Sequence, residues 1–117
     1  MVKIIIPGEL TDLNTYINQE RGNRYKAAKT KKDETCAVSL FARAQGKPIT
    51  HKSKINFTWF CKNQKKDPDN ISFAQKYILD GLVKAGILQG DGWKNIGALY
   101  HEFEIDKENP RVEIEIL

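Results

Sequence analysis

Val2 to Ile6 is a β-branched apolar run that Pro7-Gly8 cuts short, which predicts a first strand. Thr11 to Gly22 is polar with few core positions and predicts a loop or a short irregular helix. Arg24 to Gln45 has no Gly or Pro and many helix formers, so it predicts a long helix. Its apolar residues Ala27, Ala28, Cys36, Ala37, Leu40, Phe41 and Ala44 gather mainly in the second half, with Val38 off that stripe. Gly46-Lys47-Pro48 ends it. Lys54 to Cys61 alternates, with Ile55, Phe57, Trp59 and Cys61 on one face of a strand. After a polar loop from Lys62 to Asp69, the spacing of Ile71, Ala74, Ile78, Leu82 and Ala85 predicts a helix over Asn70 to Ala85, closed by Gly86. Gly90-Asp91-Gly92 is a tight turn, and Ile96–Ile105 and Arg111–Ile116 read as two strands joined at Asp106 to Pro110. In the last strand Val112, Ile114 and Ile116 alternate with Glu113 and Glu115, so one face is wet. The order β-α-β-α-β-β gives the α+β class: a single domain, 1–117, with a mixed sheet packed against two helices.

Composition changes this picture little, since 40% hydrophobic and 29% charged residues are ordinary for a globular domain of this length. No purely apolar run is longer than the three residues of Ile4–Ile6, so no membrane span or signal peptide is expected. Cys36 and Cys61 lack metal spacing and read as reduced thiols of a cytoplasmic protein. His51 and His101 stand far apart, which leaves a zinc site or a Ser-His-Asp triad little to build on.

Charge changes the picture more. The net +4 hides a division. From Arg21 to Lys66 there are thirteen basic and two acidic residues, a surplus of +11, and the rest of the chain carries −7. Arg21, Arg24, Lys26, Lys29, Lys31 and Lys32 form one basic cluster, and Lys62, Lys65 and Lys66 form a second that runs directly into Asp67. Compensating acids are nearly absent there, which weakens the reading of an ordinary solvated face and makes these residues candidates for contact with nucleic-acid phosphates. Tyr16 and Tyr25 lie near the first cluster, available for stacking.

The acids that follow are the candidate chemistry. In Asp67-Pro68-Asp69-Asn70 the proline fixes its own φ and pushes Asp67 toward extended geometry, presenting both carboxylates stiffly. Helix capping by Asp69 or Asn70 would account for such a turn on its own. Asp69, Lys76 and Asp80, spaced by seven and four, fall on one helical stripe. An i,i+4 pair explains Lys76 and Asp80, and a surface turn explains Asp91. Together, though, four carboxylates and a lysine converge in a chain with a phosphate-seeking segment. A hard divalent cation reconciles the two: Mg²⁺ takes oxygen ligands and reverses the local charge toward a phosphodiester. Lys76 could stabilise charge developing on the phosphorus or the leaving oxygen.

These residues resemble the RusA family of Holliday junction resolvases, small phage- and prophage-associated endodeoxyribonucleases. The likeness rests on Asp67-Pro68-Asp69-Asn70, Lys76, Ile78-Leu79-Asp80-Gly81-Leu82, Lys84-Ala85-Gly86 and Asp91, about twenty-five residues in a fairly specific order. Asn14-Thr15-Tyr16 or Asn23-Arg24-Tyr25 could match the family's N-terminal Asn, Arg and Tyr. The resemblance implies a homodimer in the bacterial cytoplasm that nicks two opposed strands of a four-way DNA junction, with Mg²⁺ or Mn²⁺ as cofactor. It implies Asp67, Asp69 and Asp91 as metal ligands, Lys76 as the catalytic lysine, and Asp80 as a support behind the ligands. This chain departs from the family in having about one extra helical turn between Asn70 and Lys76, which moves the lysine about 5 Å along the axis. A non-catalytic DNA-binding protein of the same fold, and a metal-dependent nuclease acting on flaps or RNA, are the alternatives.

Overall fold

The computed structural model describes residues 1–117. The elements follow one another as β1 (Val2–Pro7), α1 (Leu13–Gly22), α2 (Arg24–Gln45), β2 (Ser53–Cys61), α3 (Pro68–Ser72), α4 (Gln75–Lys84), β3 (Ile96–Ile105) and β4 (Arg111–Ile116). The α+β class and the alternation of strands and helical regions are as the pattern predicts. The helix over Arg24–Gln45 has the predicted bounds, a separate short helix precedes it, and the second helical region is split in two.

The four strands form one mixed sheet in the order β1-β4-β2-β3, with β4 antiparallel to both neighbours and β2 parallel to β3. Its register sets Ile4 beside Ile114, Ile6 beside Val112, Phe57 beside Ile114 and Trp59 beside Val112. Paired residues share a face, so these side chains make a continuous buried layer that α2 and α4 cover with Val38, Ala42, Ile78 and Leu82. The opposite face is polar, as the alternation in β4 requires. There Glu113 pairs with Lys3 and Arg111, whose guanidinium lies 3.8 Å over the Phe60 ring. No helix is long and apolar enough to cross a membrane.

Thr11 to Gly22 is mostly helical. Asp12 caps α1, its Oδ1 accepting from the Thr15 backbone N–H at 2.9 Å, and Asn23 both ends α1 and caps α2 through the N–H groups of Tyr25 and Lys26. The buried face of α2 also differs from the predicted stripe. Val38, expected off it, is fully buried, whereas Leu40 is 65% exposed and Ala28 and Ala44 face solvent. The cause is Gly81 of α4. A Cβ there would meet Val38 Cγ1 at 2.5 Å, so the bare glycine lets α4 close onto α2 at Val38. Gly81→Ala should therefore destabilise the fold by about 1–3 kcal/mol through overpacking, against a helix-propensity gain of about 1 kcal/mol. Urea midpoints should show Val38→Ala restoring part of the loss in the double variant; full additivity would contradict the contact.

The second helical region starts earlier than predicted, at Pro68, and breaks at Phe73-Ala74. Ala74, Lys76 and Tyr77 donate their N–H groups to Ile71, Phe73 and Ala74, tighter i→i−3 bonds that change the helical phase. Nothing in the local sequence breaks a helix here. Tertiary packing does it: Phe73 lies against Tyr16 of α1 and Tyr77, while Ala74 enters the core. The single stripe of Asp69, Lys76 and Asp80 is thereby corrected, and only Lys76 and Asp80 keep helical phase with each other. Gly86 does close α4 as predicted. With φ of +78° it lets Ile87 N–H reach the Leu82 carbonyl at 3.0 Å and its own N–H reach Val83 at 3.0 Å.

The two sheet edges are treated differently. At β1, Gln45 of α2 donates from Nε2 to the Ile5 carbonyl at 2.9 Å and accepts from the Ile5 N–H at 2.8 Å, covering that edge. At β3 no such cover exists. Leu99, Phe103 and Ile105 pair in register with Ile55, Trp59 and Cys61 and so belong to the core-side face, yet all three remain exposed.

Candidate functional site

Proline at the first helical position starts α3 and puts the Asp67 backbone, φ −74° and ψ 153°, in the extended N-cap geometry. Its carboxylate makes no capping hydrogen bond. Asp69 is exposed, and no hydrogen bond or ion pair engages its carboxylate. The N-cap position thus falls to Asp67, not to Asp69 or Asn70, and Asp69 sits in the first turn, where the dipole favours an acid; neither carboxylate makes a side-chain capping hydrogen bond, and no other group engages them. Asp67 lines a groove whose other wall is Phe103, Glu104 and Ile105 of β3.

Asn70 has the opposite fate. It is buried, its Oδ1 accepts from the Asn14 backbone N–H at 2.9 Å, and its Nδ2 donates to Asp12 Oδ2 at 3.2 Å. Asp12 is itself buried and also lies 3.5 Å from the Lys66 ammonium. Burial pushes the Asp12 carboxyl up, but the hydrogen bonds from Thr15 and the charge of Lys66 outweigh it and hold the group below the usual carboxylate range. The α1 N-terminus and the Asp67–Asn70 turn are thus locked by one polar cluster. Asn14-Thr15-Tyr16 lies against this turn, whereas Asn23-Arg24-Tyr25 forms the corner between α1 and α2, with Tyr25 exposed.

Lys76, near the start of α4, is where the dipole disfavours a cation. Two acids offset this: Asp80 Oδ1 at 3.2 Å, one turn on, and Asp91 Oδ2 at 3.6 Å, from the turn after the helix. The hydrogen bond to Asp80, then its charge and that of Asp91, raise the lysine above its ordinary value. It is a cation at neutral pH and suits charge stabilisation rather than proton abstraction. The structure thus brings Lys76, Asp80 and Asp91 together. It does not gather Asp67, Asp69 and Asp91, and no group of three His, Cys, Asp or Glu side chains is placed to hold a metal ion.

Beside Lys76, Gln75 fastens α4 to the sheet. The indole of Trp59 donates to His101 Nδ1 at 3.0 Å, so the neutral ring carries its proton on Nε2, which donates to Gln75 Oε1 at 3.0 Å. Phe57 stacks on the imidazole at 4.9 Å. Burial holds His101 below its ordinary 6.5. As pH falls through 6.5 the unfolded chain takes up a proton that the folded chain refuses, so stability is complete above this value and declines below it until the folded ring also titrates. Urea midpoints at pH 7.5 and 5.5 should differ in that direction, and the difference should shrink in His101→Gln.

Of the basic residues, Lys29 pairs with Asp33 at 2.6 Å and Lys66 with Asp12. Arg24, Lys26, Lys31, Lys32 and Lys65 are exposed and form no ion pair. The sequence reading missed Asp12, Gln75 and His101 as supports of the site. Asp12 had one local signal, its place three residues before Thr15 at the head of a polar stretch; the other two depend on pairings across the fold. No protein-family model matches the chain, and no curated protein matches it significantly.

Proposed function

We propose that the protein is a Mg²⁺-dependent structure-selective endodeoxyribonuclease that resolves four-way DNA junctions by paired nicking. The observation that carries this reading is the pair of unengaged carboxylates, Asp67 and Asp69, on a turn the rest of the fold works to hold. Mg²⁺ commonly takes one or two protein carboxylates and fills its remaining positions with water and phosphate oxygen, so this donor set fits it. When bound, the ion would polarise the scissile phosphate and lower the pKa of an attacking water. Asp67 and Asp69 would hold the ion. Lys76, kept charged by Asp80 and Asp91, would balance the developing negative charge on the phosphoryl group. Arg24, Lys26, Lys31, Lys32 and Lys65 would supply affinity for the arms through phosphate contacts, without sequence information.

Two opposed nicks call for two equivalent sites, hence a homodimer. The open β3 edge supports an interface there. Antiparallel pairing of two β3 strands about His101 would set Leu99 opposite Phe103 and keep Glu102 and Glu104 from facing their own copies. Phe103→Glu should convert a dimer into a monomer in sedimentation velocity, and a variant that stays dimeric would place the interface elsewhere.

The separation of Asp91 from the other two aspartates favours a second reading, a DNA-binding protein of this fold that does not cut. One panel decides between them: four-way junction, flap, linear duplex and RNA hairpin, each with Mg²⁺, Mn²⁺ or chelator. The proposal expects paired, metal-dependent nicks in the junction, faster than in any other substrate. Binding without cleavage under both metals supports the second reading, and preferential cutting of flap or RNA reassigns the substrate.

A further inference from the structure

Trp93 is 92% exposed, the most exposed large apolar side chain in the molecule. The other tryptophan, Trp59, is 4% exposed and its indole N–H is satisfied by His101. Trp93 stacks on no aromatic ring, and its indole N–H has no acceptor. The backbone beneath it is nonetheless fixed. Asn95 and Ile96 both donate to the Gly92 carbonyl at 3.0 Å, and Ser53 of β2 donates to the Asn95 carbonyl at 2.9 Å. A short tied turn therefore displays a bare indole two residues from Asp91, whose carboxylate meets Lys76, and directly before Lys94.

We infer that Trp93 is a stacking platform for an unpaired nucleobase of DNA bound on the Lys76–Asp91 side of the molecule. The inference rests on the proposed action on branched DNA. A protein partner would be expected to meet an apolar patch, but the residues flanking Trp93 are Asp91, Gly92, Lys94 and Asn95, and the exposed apolar side chains of β3 begin only at Leu99. A flat π-face between charges suits a base that is out of its stack and still attached to phosphate, and such stacking tolerates any base. Four-way junctions supply such bases at the branch point once opened, whereas linear duplex does not.

Tryptophan fluorescence reads this directly, because Trp59 is buried and Trp93 is not. Binding of dye-labelled four-way junction is followed by anisotropy in Ca²⁺ to prevent cleavage, with tryptophan emission recorded on the same samples made with unlabelled DNA. The expected result is quenching of the solvent-exposed emission that saturates with the anisotropy and is absent in Trp93→Phe. Trp93→Ala should weaken junction binding about tenfold, with most affinity recovered in Trp93→Phe, and should change linear-duplex binding by less than about threefold. Junction binding without quenching, or an equal loss on duplex, overturns the role of Trp93 and leaves the proposed function standing. Quenching that follows protein concentration without DNA overturns it in favour of contact between copies. Absence of any DNA binding sinks both this inference and the reading on which it rests.

Discussion

Asp69→Asn should lower the single-turnover rate of junction cleavage by about 10³-fold or more while changing the junction Kd by less than about threefold. The substitution keeps shape and removes one negative charge. The Asp69 carboxylate makes no hydrogen bond or ion pair in the folded chain, so its loss leaves no partner stranded and thermal stability should be unchanged. In chelator, where no cation bridges the site to DNA, removing an acid beside a phosphodiester helps electrostatic binding, and affinity should hold or rise slightly. Asp67→Asn should behave alike, since Asn serves an N-cap backbone as well as Asp does. The double variant should be scarcely worse than either single one, because the two acids act as one unit. Cleavage by Asp69→Asn near the wild-type rate would remove this carboxylate from the chemistry.

Asp12→Ala should cost about 2–4 kcal/mol of stability, read from urea midpoints, although Asp12 is named in no part of the proposed chemistry. The substitution removes the α1 cap, worth about 1 kcal/mol, and strands the buried Asn70 amide, worth about 1–3 kcal/mol. Because the folded carboxyl is held below its usual range, its contribution is present above the ordinary Asp value of 3.8 and is lost as pH falls through the lower folded value. Cleavage should fall too, since Asn70 holds the turn that carries Asp67 and Asp69. A swap separates this polar lock from simple loss of volume. In Asp12→Asn/Asn70→Asp the donor and acceptor exchange places, while the carboxylate now on α3 can still accept from Asn14. The double variant should therefore recover part of what Asp12→Asn alone loses; strict additivity would mean the two side chains do not depend on each other.

Features set by short-range chemistry were legible in the sequence. The alternation of β2 and β4, the closure of α4 at Gly86 and the i,i+4 pair of Lys76 and Asp80 depend on residues within a turn or a strand of one another. The stiff presentation of Asp67 by Pro68 was legible for the same reason. Features set by distant partners were not. Val38 is buried because Gly81, forty-three residues on, has no side chain to hold it off. Asp69 left the Lys76 stripe because Phe73 and Ala74 pack against other elements and tighten the backbone between them. His101 looked isolated because its partners, Trp59 and Gln75, come from a neighbouring strand and a helix.

The asymmetry between the sheet's edges bears on how many copies can assemble. A sheet open on both sides offers each newcomer the same unpaired backbone that received it, and growth has no stopping point. Here Gln45 occupies both backbone groups of Ile5 on one side, whereas β3 has no such contact and is the more open edge. Once two such strands meet, each has consumed the other's open edge. If copies of this chain do meet through strands, the Gln45 amide on Ile5 would bias that pairing toward the ten-residue β3 edge and so toward a closed pair.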